Sequence, residues 1–180
     1  MACSDITQGI GRQCNKTLGG VQKIYIFNNL EDPFTISADG SEATAMNILL
    51  TQSFEFDVTG VGNILEQNVV SSRDTFTSVN TQTITAVLGG MSATKHATLN
   101  FLVQSRAMAV IKDRNSNYHA VGIGQDLNEG IDFNNVATTG GAQSDFNGYT
   151  LTGTSIVKDL APILDSATVT AFLATVQANV

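Results

Sequence analysis

Three features of the sequence predict a mainly β fold of the α+β class, with antiparallel strands, one internal helix and one C-terminal helix. Short runs rich in β-branched and aromatic residues alternate with glycine- and asparagine-containing turns, as in VQKIYIFNN and AMAVIKDRNSNYHAVGIG. Charged residues make up only 14% of the 180-residue chain, against about 25% in an average protein; serine, threonine, asparagine and glycine fill the difference, a mix that favours β-structure with polar surfaces. Only two segments, residues 92–105 and the stretch after Asp165, carry a helical period.

The elements follow in order. The opening stretch GIGRQCNKTLGG, Gly9 to Gly20, has the look of a phosphate loop and fails as one. Asn15 and Ile10 stand where the two glycines before Lys16-Thr17 belong, no buried strand precedes it, and Gly19-Gly20 blocks a following helix. It reads instead as a flexible arm over residues 1–20 leading through a double-glycine turn into VQKIYIFNN, residues 21–29, a strand. EDPFTISADGSEATA is predicted as a loop. SFEFDV, residues 53–58, alternates: Phe54, Phe56 and Val58 point one way and Ser53, Glu55 and Asp57 the other, giving a half-buried strand with an acidic outer face.

ILEQNVVSSRDTF and SVNTQTITAVL read as two strands or one long bent ribbon. Thr77 to Thr85 has strong β propensity and few large apolar groups. It is expected at an edge or in solvent; the alternative is a strand facing a partner subunit or a wet channel. After Gly89-Gly90, SATKHATLNFLVQS is a helix with Ser92 as N-cap candidate and Leu99, Leu102 and Val103 on one face with Lys95 and His96. Residues 106–124 form a hairpin about Asp113–Asn117, with His119 as a surface residue. TTGGAQSDFNG is a loop and GYTLTGTSIV a strand with Tyr149 and Leu151 on one side. From Asp165, Val169, Phe172, Leu173 and Val176 at i, i+3, i+4, i+7 predict an amphipathic helix of about three turns, capped by Asp165 or Ser166 and preceded by Pro162.

Charge and motifs exclude several functions. The net charge is −7 and no lysine or arginine cluster exists, which argues against specific binding of DNA or RNA. Cys3 and Cys14 have no zinc-ligand spacing and no histidine nearby, so no metal or other cofactor is expected. MACSDITQ lacks the basic start and apolar run of a signal peptide, so cytoplasmic synthesis and reduced thiols are expected. No apolar stretch is long enough for a transmembrane helix, and no membrane anchor is expected. Asp126, Glu129 and Asp132 suggest a calcium loop, but Glu129 precedes Gly130 and no acid closes the pattern. No G-x-S-x-G and no nucleophile–histidine spacing occurs. Glu55 and Asp57, roughly 7 Å apart on one strand face, could serve glycoside hydrolysis, but the exposed half of an alternating strand explains them better. No enzyme is expected.

The cysteine-containing arm, GGVQKIYIFN, the ribbon ending SSRDTFTSVNTQTITAVL, the helix SATKHATLNFLVQS, the hairpin RAMAVIKDRNSNYHAVGIG and the late GYTLTGTS strand together resemble the virion proteins of tailed bacteriophages, tail tube proteins in particular, over roughly residues 12–156. The tube protein of the type VI secretion machine looks like a relative in fold. The resemblance implies a β-sandwich or β-barrel tube domain over residues 21–160 with a flanking helix, followed by the C-terminal helix within 161–180. It implies hexameric rings stacked into a hollow tube, with long hairpins forming an inner wall through which the genome passes. The implied partners are copies of the chain, other tail proteins, and phage DNA as transient, non-specific cargo; the implied location is the virion tail. Glu55, Asp57 and Glu66, placed on the first long hairpin, are the candidate lumen residues. The alternatives are another virion component (head decoration, neck or stopper protein) and a carbohydrate-binding module or enzyme.

Overall fold

A computed structural model describes residue 10 and residues 17–58, 62–124 and 129–177 of the chain. The expectations for Cys3, Cys14, most of the Gly9-to-Gly20 arm and Asp126 fall on residues outside these.

The elements are β1 (Val21–Asn28), β2 (Phe34–Ile36), β3 (Glu42–Met46), β4 (Ser53–Phe56), β5 (Ile64–Ser72), β6 (Thr77–Gly89), α1 (Ala93–Gln104), β7 (Ala107–Asp113), β8 (Tyr118–Val121), β9 (Asp132–Thr138), β10 (Gly148–Val157), β11 (Ile163–Leu164), α2 (Ser166–Leu173) and β12 (Val176–Gln177). They build two sheets. The larger runs β12-β4-β1-β7-β8-β11-β3-β2 and the smaller β5-β6-β10-β9. The smaller sheet is antiparallel throughout. The larger is antiparallel apart from the short β11–β3 and β12–β4 pairings. Of the two architectures implied, the chain adopts the sandwich: the strand orders stay open and the sheets share a core.

Period-2 alternation sets that core. On one face of the larger sheet, Ile24, Ile26, Ala109, Ile111 and Val121 meet Ile84, Ala86, Leu88, Phe133, Tyr149 and Leu151 of the smaller sheet, with Leu99 and Leu102 of α1 closing one side. The intervening residues of the same strands, Tyr25, Phe27, Met108, Val110, Tyr118 and Ala120, form a second core on the opposite face with Phe34, Leu50 and Phe172. Phe172 of α2 lies 5.6 Å from the Tyr25 ring, 6.2 Å from Phe27 and 6.1 Å from Phe34, distances at which aromatic pairs add to burial. The larger sheet is therefore covered on both faces, while the smaller sheet has one face against it and one bare.

Several expectations are corrected here. The segment expected as a loop after β1 contains β2 and β3, anchored by the buried Phe34 and Ala43 and turned through Asp39-Gly40. The C-terminal helix is shorter than the three turns expected. Asp165, not Ser166, caps it by accepting from the Thr168 N–H at 2.7 Å. It ends at Leu173, and Val176 leaves the helix to pair beside Ser53 of β4. The strand containing Thr77–Thr85 is interior to its sheet, between β5 and β10, not at an edge. On β4 the predicted sides hold, but the acidic side is not an open outer face. Ser53 is fully buried and its hydroxyl lies 3.1 Å from that of Thr175, because the turn after α2 covers it, whereas Phe54 is exposed at the rim.

Candidate functional site

The bare side of the smaller sheet is the candidate surface. The hairpin β5–β6 supplies half of it. Its strands pair continuously from Ile64↔Thr85 to Ser72↔Thr77, and the four residues Arg73–Phe76 close it. Phe76 sits at the tip with φ +53 and a side chain almost wholly in solvent, a backbone conformation that disfavours bulky residues. Toward the tip both faces of the ribbon are open: Val69 on the inward side and Val70 and Val79 on the outward side are all exposed.

The pairing registers fix what the outer face presents. One row reads Glu66–Thr83–Thr154–Asp132 across the four strands, and its neighbour Ile64–Thr85–Thr152–Asn134. Thr81 and Thr150 continue the array along β6 and β10. The face thus has a central array of threonine hydroxyls, with exposed Ile64, Val70, Val79, Val136 and Ile156 around it and one carboxylate near each margin. None of the four strands contains a lysine or arginine. Threonine suits this position because its β-branch favours the strand while its hydroxyl stays solvated, and facing threonines stabilise one another.

The outermost strands matter as much as the face. The nine residues of β5 and the seven of β9 carry one acidic residue each and no lysine, arginine or proline. Among the described residues no backbone group pairs with either strand on its outer side. Natural sheets blunt such edges with charge, proline or cover; β5 carries only Glu66 to that end, whereas α1 packs against β9. Sequence reading located the threonine-rich strand and the hairpin, but not the two edges, because an edge is defined by partners that only the fold reveals.

The three acidic candidates do not share a hairpin. Only Glu66 lies on β5–β6. Glu55 belongs to β4 of the larger sheet, opposite Tyr25, and faces the second core, away from the smaller sheet. Its carboxylate accepts from the Lys23 ammonium at 2.5 Å, and this bond raises the Lys23 pKa above its ordinary value. Asp57 follows β4 and is exposed. Burial pushes the Tyr25 hydroxyl up to about 12, with Glu55, Tyr118 and Asp57 adding to it. Glu55 and Asp57 therefore form the polar rim of a core, with the Glu55 carboxylate engaged by Lys23.

His96 is exposed on α1 and its Nδ1 lies 3.2 Å from the Tyr149 hydroxyl. His119, expected on the surface, is half-buried with Nε2 3.7 Å from the Asp113 carboxylate. Burial pushes Asp113 up, but hydrogen bonds from Asn117 and Asn115 outweigh it and hold the carboxyl below its ordinary value. Asn115 also grips the end of the arm: its side chain accepts from the Leu18 N–H and donates to the Leu18 carbonyl, both at 2.9 Å. Glu129 and Asp132 are exposed, and among the described residues no three His, Cys, Asp or Glu side chains gather as a metal set. Among the same residues no helix is long and apolar enough to cross a membrane. The chain matches no protein-family model, no curated protein and no solved structure.

Proposed function

We propose that this chain is a self-assembling structural subunit of a phage tail tube, closing into rings, hexameric by the sequence resemblance, that stack into a conduit for genome ejection. The observation that carries the reading is the smaller sheet, whose outermost strands β5 and β9 have no strand partner on their outer sides among the described residues and whose bare face is rich in hydroxyls. Pairing β5 of one copy with β9 of the next satisfies both edges at once and uses head-to-tail contacts that close by rotation. The hairpin resembles the long hairpins of tube proteins and lies in this same sheet.

In this arrangement the outer face lines the bore. DNA phosphates then meet threonine hydroxyls and the carboxylates of Glu66 and Asp132, with no cation on the wall strands to hold them. Without lysine or arginine contacts there is no counterion release to reward binding, so the cargo slides. The subunit performs no catalysis, and its other partners are neighbouring tail proteins in the virion.

The test is the assembly state of the purified full chain by negative-stain microscopy and sedimentation velocity. Rings or tubes are expected. The paired change Asn68→Lys with Val70→Lys on β5 is expected to abolish them while leaving the circular dichroism melt of the subunit intact. A monomer at all concentrations, or a trimer seated on capsids as a head decoration protein would be, overturns the proposal.

A further inference from the structure

The inward face of β6 changes character along its length. Ile84, Ala86 and Leu88 are apolar, but Asn80 and Gln82, equally buried, are amides. Each amide is oriented by one strong partner. Gln82 Oε1 reaches across the sandwich to accept from the Gly122 N–H at 3.0 Å. Asn80 Nδ2 donates to the Asp159 carbonyl at 2.7 Å. Because the oxygen of Gln82 and the nitrogen of Asn80 are committed, the free ends are fixed: Gln82 offers Nε2 as a donor and Asn80 offers Oδ1 as an acceptor. Neither makes a hydrogen bond to the described residues, nor does the hydroxyl of Ser155.

These three side chains are neighbours. Gln82 and Ser155 stand directly opposite on β6 and β10, facing inward, and Asn80 is two residues along the same face. Opposite residues in a sheet have Cβ atoms about 5 Å apart, and residues two apart on a strand are separated by about 7 Å. Leaving three buried polar groups unpaired forfeits their hydration with nothing in return, which a native interior avoids.

We infer that Asn80, Gln82 and Ser155 hold one internal water molecule between the two sheets. The chemistry selects the ligand. An anion is repelled by Asn80 Oδ1, and a cation by the Gln82 amide protons, with no carboxylate in the set to offset its desolvation. Water alone offers what the three groups require: a lone pair for Gln82 Nε2 and protons for Asn80 Oδ1 and Ser155 Oγ. The seam continues through Gln67, whose Oε1 accepts from the Ala161 N–H at 2.7 Å. The water thus completes a polar strip that ties the root of β5–β6 to the chain between β10 and β11. The inference is independent of the proposed assembly.

The experiment is a crystal structure of the full chain at a resolution that shows ordered solvent, joined to a rotating-frame NMR experiment that detects water close to assigned amide protons. Expected are a solvent peak about 2.7–3.2 Å from each of the three atoms and cross-peaks between the Gln82 side-chain amide protons and water. In Ser155→Val, whose added methyl groups fill the space, the cross-peaks are expected to vanish while the backbone spectrum keeps its dispersion. Direct bonding among Asn80, Gln82 and Ser155 in the wild-type crystal structure, with no solvent peak between them, overturns the inference whatever the variant does.

Discussion

The two sheets of this molecule spend the same kind of strand differently. In the larger sheet, alternate residues of β1 and β7 are apolar on both sides, so every side chain from Ile24 to Phe27 is buried. In the smaller sheet, β6 and β10 bury only one side and give the other to threonine. The first pattern builds stability from self-contained packing. The second leaves one face open. In the proposed assembly, association is the work of the bare face and outer strands, while the packing between and behind the sheets holds the subunit together.

The largest expected break is Phe172→Ala. The ring is fully buried among Tyr25, Phe27 and Phe34, and its loss is expected to cost about 3–5 kcal/mol of unfolding free energy in urea titrations. Ile156→Ala, on the bare face and more than half exposed, is expected to stay within about 0.5 kcal/mol. Comparable losses at the two positions would erase the distinction between the layers.

Alkaline pH sharpens the same contrast. The Tyr25 hydroxyl in the second core titrates at about 12 rather than its ordinary 10.0. A raised folded value means that the native state holds its proton longer. The associated stability is therefore complete below pH 10 and is lost progressively as pH climbs toward 12. Tyr25→Phe is expected to flatten that part of the denaturation profile. Acid probes α2 instead: the bond to Thr168 holds Asp165 below the ordinary carboxylate range, so the cap persists above that range and fails as pH falls through the lower native value, visible as faster amide exchange at Thr168.

A smaller effect is expected from Ser92→Ala, which removes the oxygen accepting from the Lys95 N–H at 3.2 Å. About 1 kcal/mol is expected, concentrated in α1, by thermal denaturation and amide exchange. The smallest change in subunit stability, under about 0.5 kcal/mol, is expected for Thr83→Lys with Thr154→Lys on the bare face. Its consequence is expected in assembled tubes, as DNA retention that falls with added salt in a filter-binding assay. Unchanged retention would remove the bore from this face.

The legible parts of the sequence were those with complete local signals. β7–β8 pairs two apolar runs around a polar turn, and β10 alternates without interruption. β6 misled because Asn80 and Gln82 occupy inward positions where apolar residues are expected, so an interior strand read as an edge. The length of α2 misled because Val176 fits the helical period, yet the Thr175 N–H turns back to the Phe172 carbonyl and Val176 joins β4. Glu55 and Glu66 were joined in one hairpin because they are close in sequence, whereas β4 and β5 belong to different sheets. Periodicity reports which side chains share a face; it does not report which strand lies next door.

The placement of Phe172 also constrains how the polypeptide reaches its final form. The aromatic hollow of Tyr25, Phe27 and Phe34 is synthesised well ahead of its plug, with every strand from β3 to β11 made in between. A nascent chain still tethered at the ribosome therefore holds a sticky concavity open until α2 emerges. Truncation ahead of Asp165 makes that state permanent, so shortened products should precipitate even though every strand of the smaller sheet is present.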